Sequence, residues 1–173
     1  MINVSREFLK EKNACSDGFK WWCKNCEGLE TIDQLKKLND YRKDWANWLI
    51  VRLMTYKQYV SYAVFSAEQV LDIYEKKYPE ERRPRVAIEA AKKCINDPSD
   101  ENKKDAADAY AAASAYAAAY AASAAYAAAS AYAAASAYAA ASAASSAAYA
   151  ASASARKAMQ AKILNYGIEL LTV

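Results

Sequence analysis

From about Ala106 to Ala155 the chain is built almost wholly of Ala, Ser and Tyr, in units such as Ser130-Ala131-Tyr132-Ala133-Ala134-Ala135. No Gly or Pro interrupts the stretch, and Asp108 is its one charge. Low complexity of this kind does not imply disorder. Ala is the best helix former, Ser and Tyr cost only a few tenths of a kcal/mol in a helix, and the charge and Pro that keep chains solvated are missing. Poly-Ala can also stack as sheets, but Ala has poor strand propensity and no strict period of two is present. The stretch therefore predicts helix. Its Tyr residues stand at 110, 116, 120, 126, 132, 138 and 149. A step of six turns a helical side chain by about 240°, so the rings spread around the axis and form no single stripe. One helix from Ser99 to about Leu171 would be roughly 105 Å long and would lack an apolar seam. Several helices folded on one another are expected instead. Ala faces bring their axes close and Tyr rings fill the gaps. Turns are expected at Ser142 to Ser146 and at Ser152 to Ser154.

The rest of the chain also reads as helix, and no strand is expected. Ser5 caps a short first helix. Asn13 to Gly18 reads as a turn, and Phe19 to Cys26 as a helix with an aromatic face that Gly28 ends. Thr31-Ile32-Asp33-Gln34 has the form of a capping box. Asp40 is expected to open a further helix carrying Trp45, Trp48, Leu49 and Leu53. Tyr59, Tyr62, Ala63, Val70, Ile73 and Tyr74 continue the helical spacing from Thr55 to Lys77 and mark a central helix that ends at Tyr78-Pro79. Pro84 suits the first turn of another helix, and Ser99 caps the next, with Asp100 and Glu101 at its positive end. Met159, Ile163, Tyr166 and Leu170 form a closing stripe that needs a partner in the front half. The expected fold class is all-α: a multi-helix bundle with closely packed Ala/Ser/Tyr-rich helices. Its organisation is a charged, aromatic front half (1–98) and an Ala/Ser/Tyr-rich half (99–173) packed on it as one domain.

Charge and composition limit function. Of 23 basic residues 20 precede Ala106, as do 18 of the 20 acidic ones, so the front half is charged but balanced. That gives no broad basic surface for nucleic acid, and direct nucleic-acid binding is not expected. No long apolar run suggests a membrane span and no leader is expected, which points to a cytoplasmic protein whose oligomeric state stays open. The sequence contains no His, which removes the commonest general base, the usual triads and imidazole metal sites. No cofactor and no catalytic residue is assigned. Cys23-Lys24-Asn25-Cys26, with Cys15 and Cys94, is a candidate metal set, but one CxxC lacks its second pair, and free thiols are the simpler reading. Trp21, Trp22, Trp45 and Trp48 are assigned to the core rather than to a ligand cage.

Glu80-Glu81-Arg82-Arg83-Pro84-Arg85 is the most distinctive charged cluster. Its guanidinium forks can clamp a carboxylate or phosphate, or can pair locally and with Glu89. Arg82, Arg83, Arg85 and Glu89 are the candidate partner-binding residues. Along Arg83-Pro84-Arg85-Val86-Ala87-Ile88-Glu89-Ala90-Ala91 and the Ala-rich tail that follows, the chain resembles a family of immunity proteins. These are all-α proteins encoded beside the toxins of bacterial polymorphic-toxin systems, with relatives in phages and prophages. The specific part of the resemblance covers about Val64 to Ile95, and Arg83, Pro84, Arg85 and Glu89 are the positions it carries over. It implies a non-enzymatic protein that binds and neutralises a toxin or a host defence enzyme, as an immunity protein or as a phage counter-defence protein of the anti-CRISPR type. The rival reading is a sponge that holds a nucleotide signal between helices, using Arg85 and Tyr rings.

Overall fold

The computed structural model describes residues 3–114 and 153–172. Every element among them is an α-helix: α1 (Arg6–Glu11), α2 (Ser16–Asn25), α3 (Thr31–Tyr41), α4 (Lys43–Leu53), α5 (Tyr56–Lys77), α6 (Arg83–Asn96), α7 (Asp100–Ser114) and α8 (Ala153–Thr172). The fold is an all-α bundle. The turn expected at Ser142 to Ser146 and the packing expected of Tyr116 to Tyr149 lie outside the described residues. Ser154 already stands inside α8.

The centre of the bundle is α5. Tyr59, Val60, Tyr62, Ala63, Val64, Ser66, Ala67, Val70, Leu71 and Tyr74 are buried along it, at the three-and-four spacing that keeps one broad helix face turned inward. The hydroxyl of Ser66, fully buried, donates to the carbonyl of Tyr62 at 2.7 Å, so this polar group costs little inside the core. Helix α5 packs on α6, and α6 packs on α7 through small residues, with Ala87, Ala90, Ala91, Cys94 and Ala106 buried. The last helix, α8, packs against both α5 and α4. Ala106 of α7 and Ile163 of α8 belong to one core. A straight helix would hold them roughly 85 Å apart, so α7 and α8 are not two ends of one rod.

The ends of these helices follow their sequence in most places. Ser5 caps α1, its Oγ accepting from the Phe8 N–H at 3.2 Å. Ser99 Oγ accepts from the Asn102 N–H at 3.4 Å at the start of α7. Pro84 lies in the first turn of α6, and α6 stops before Asp97-Pro98. Gly28 takes φ +81°, a left-handed conformation that ends the α2 region.

Three expectations are corrected. The Thr31–Gln34 capping box does not form: Glu30 is the N-cap of α3, and the Gln34 side chain turns inward. There its Oε1 accepts the Trp22 indole N–H at 2.7 Å, and its Nε2 donates to the Leu29 carbonyl at 2.7 Å. A buried indole N–H needs an acceptor, and that demand outweighs the cap. The capping box lies at Thr55–Gln58 instead and opens α5. Asp40 does not start a helix: α3 runs through Tyr41, extended Arg42 breaks the chain, and α4 starts at Lys43. Finally, Gly18 is helical rather than part of a turn, because Asn13 supplies the left-handed residue at φ 57° and Cys15 caps α2.

The closing stripe on α8 finds its partner as expected. The ring of Tyr166 stacks on Phe65 of α5 with centroids 3.9 Å apart. Gln58 works at two places, its Oε1 accepting from the Thr55 N–H at 2.9 Å while its Nε2 donates to the carbonyl of Leu170. At Gly167 a Cβ would come within 2.7 Å of Ile50 Cδ1 and of Tyr62 Cε2. Tyr62 is fully buried and cannot yield. Gly→Ala inside a helix ordinarily stabilises by up to about 1 kcal/mol. Here the sign reverses: Gly167→Ala should lose about 1–3 kcal/mol to overpacking, read as a lower denaturant midpoint at unchanged m. A neutral or stabilised variant would mean that α8 is not seated on Tyr62.

Candidate partner-binding surface

The charged cluster at the start of α6 is largely closed on itself. Arg83 pairs with Glu81 through both carboxylate oxygens, the Nε contact being 2.7 Å, and Glu81 Oε1 also accepts the Arg83 backbone N–H at 3.0 Å. Arg85 reaches across to α5 and holds Glu75 in a bidentate pair at 2.7 and 2.5 Å. Further along the same seam Lys92 bridges Glu68 of α5 at 2.7 Å and Glu89 at 3.0 Å. The guanidinium forks of Arg83 and Arg85 are therefore occupied by carboxylates of the chain, and Glu89 is joined to Lys92, not to the arginines. Arg82 is exposed at the N-cap of α6, and its charge helps hold the Glu75 carboxyl below the usual range after the larger effect of Arg85. Sequence spacing foretold local pairing but not Glu75 as the partner of Arg85, because that contact joins two helices.

The cysteines do not gather. Cys15 is exposed and its Sγ accepts the Gly18 N–H at 3.4 Å as the cap of α2. Cys26 is buried in the core, and burial pushes its thiol pKa up. Cys94 is buried on α6 and donates to the Asn102 carbonyl at 3.2 Å. No three Cys, Asp or Glu side chains among the described residues converge as metal ligands would.

A second feature was only half legible. Of the four Trp assigned to the core, Trp22 is buried, whereas Trp21, Trp45 and Trp48 are half-buried. Trp22, Trp45 and Trp48 wall a cleft of about 340 Å³, together with Leu9, Leu38 and Leu49. Trp45 also neighbours exposed Tyr41, at 5.8 Å between ring centroids, and Tyr41 stacks on Trp21 at 4.5 Å and 10° between planes. Arg42 lies over the Trp45 indole at 4.8 Å and Arg52 over Trp48 at 3.9 Å. Trp, Tyr and Arg are the residues that dominate the centres of protein interfaces. The signal in the sequence was the packing of four Trp and one Tyr into α2 and the α3–α4 junction. What spacing could not give was the incomplete burial, which depends on how α1 and α2 sit against α4.

The ion pairs set a pH dependence. The Arg83 guanidinium and backbone N–H hold the Glu81 carboxyl at about 2. A carboxylate depressed in the folded state stabilises above the ordinary range, near about 4.3, and that contribution is lost as pH falls toward the lowered value. In a carboxyl-detected NMR titration Glu81 should show its midpoint near 2. Arg83→Ala should return it toward the ordinary range. An unchanged midpoint would remove Arg83 as the cause.

No helix among the described residues is long and apolar enough to cross a membrane. No curated protein and no solved structure matches the chain. A family model described as Imm-5 like putative immunity protein matches residues 50–167. The match runs from the end of α4 to α8 and takes in Arg82, Arg83, Arg85 and Glu89, whereas every residue lining the aromatic cleft precedes it. The matched span is about two thirds of the sequence, and the chain belongs to this immunity protein family.

Proposed function

We propose that the chain is a non-enzymatic inhibitor that binds one partner protein, a toxin, and neutralises it. The family match over residues 50–167 carries this reading. Physical features of the chain support it. A protein that acts only by binding needs a stable body and a surface able to exclude water around its partner. The α5–α6–α7 core supplies such a body, and the partly exposed Trp and Tyr of α2 to α4 supply aromatic contact area that is already ordered. Pre-stacked rings lose little freedom on binding. The sequence holds no His, and the most distinctive carboxylates, Glu75 and Glu81, are taken up by Arg85 and Arg83. A phage-encoded role against a host defence enzyme would use the same device on a different partner, and the identity of the captured protein separates the two.

The test is capture followed by neutralisation. A tagged chain, incubated with lysate of its source cells, should retain one protein in equimolar amount, and co-expression should restore growth to cells poisoned by that protein. Release of a nucleotide on heat denaturation, with no protein retained, would contradict the proposal and establish the sponge reading.

A further inference from the structure

We infer that the α1–α2–α4 cleft is a receptor for a basic side chain of the partner, a lysine or arginine whose apolar stem lies on the indoles and whose charge meets Asp44. This inference rests on the inhibitor reading for the identity of its occupant, but not for the cleft's chemistry.

Trp22, Trp45 and Trp48 line the cleft with Leu9, Leu38 and Leu49. Among the described residues Asp44 is the one charged residue lining the cleft, and no Lys or Arg among them lines it. At about 340 Å³ the cleft stands at the small end of sites that hold a ligand. An apolar pocket with several indole faces and a single carboxylate favours one class of group: a cation carried on a hydrocarbon stem. The indole face attracts the charge through its quadrupole, and the carboxylate pairs with it. An anionic group would meet the Asp44 carboxylate inside the cleft, whereas a cation can share that carboxylate with Arg42.

The chain displays this contact in its own residues. Arg42 lies over the Trp45 indole at 4.8 Å, and its Nε and Nη2 donate to the two oxygens of Asp44 at 2.9 and 2.6 Å. The pair is exposed, with about half of each side chain open to solvent. A carboxylate has about four acceptor sites, so Asp44 can accept a second donor from inside the cleft or exchange Arg42 for it. Arg42 is thus an internal competitor for the incoming cation.

Three blocked tripeptides serve as probes: leucyl-arginyl-leucine, leucyl-leucyl-leucine and leucyl-glutamyl-leucine, each acetylated and amidated. They are titrated into the full-length 15N-labelled chain while the four indole N–H signals are followed. The arginyl peptide should shift the Trp45 and Trp48 signals saturably and bind about fivefold more tightly than the other two, as expected of a cation on an indole face beside a carboxylate. Asp44→Asn should abolish that preference, with circular dichroism confirming the fold, and Arg42→Ala should tighten arginyl binding by removing the competitor. Equal binding of the arginyl and leucyl peptides, weaker binding in Arg42→Ala, or no indole shift with any peptide would each overturn the assignment. The peptide titration does not depend on the inhibitor reading. If a captured partner binds Asp44→Asn as well as the parent chain, the cleft assignment fails and the inhibitor reading stands. If no partner is captured, that reading fails and the titration still decides the cleft.

Discussion

Where α8 meets α5, a glycine stands against a tyrosine that has nowhere to go. Gly167 presents no side chain to the Tyr62 ring, and Tyr62 is held from its other end, its hydroxyl donating to Asn47 Oδ1 of α4 at 2.9 Å. Burial leaves the phenol far harder to ionise than an exposed one. This one ring therefore joins three helices, α4, α5 and α8. The flanking contacts, Phe65 on Tyr166 and Gln58 to the Leu170 carbonyl, lie along the same pair of helices. Helix α6 also packs on α5 and α7 on α6, and Ala106 of α7 and Ile163 of α8 belong to one core. Helix α8 cannot leave that core without exposing Ile163 and Leu164.

Much of this was legible in the residues themselves. Apolar spacing gives α5 and the α8 stripe, because a buried face must repeat every three or four residues. Pro84, Ser99 and Ser5 mark helix starts for local reasons that tertiary structure has no cause to override. The failures share one physical form. Thr31-Ile32-Asp33-Gln34 and Thr55-Tyr56-Lys57-Gln58 are equally good capping boxes on paper, and only the second forms. The first lost its Gln to the buried indole of Trp22, a residue twelve positions earlier. Local sequence cannot see such a demand. The same holds for Arg85, whose partner Glu75 sits on the neighbouring helix, and for Trp45 and Trp48, whose partial exposure follows from the packing of helices that periodicity only enumerates.

Two surfaces emerge with different characters. The α5–α6 seam carries many charges, and the pairs Glu75–Arg85, Glu81–Arg83 and Glu68–Lys92–Glu89 are met from within the chain. A partner approaching there would have to replace pairs already made. The α2–α4 surface carries indoles, a stacked tyrosine and two arginines over aromatic faces, with a cleft among them whose one lining charge among the described residues is Asp44. Physical complementarity is easier to gain at the second surface, since apolar area and ordered rings remain partly exposed. All the helices from α1 to α8 contribute to one core, and α2 to α4 also display partly exposed aromatic residues.

The central claim is that α8 is part of one cooperative core with α5. Native-state hydrogen exchange tests it most directly. Amides of α8 around Ile163 to Leu170 should open only with those of α5 around Val60 to Val70, with the same opening free energy and the same denaturant dependence. Exchange of α8 through a separate, lower-energy opening while α5 stays protected would contradict the account.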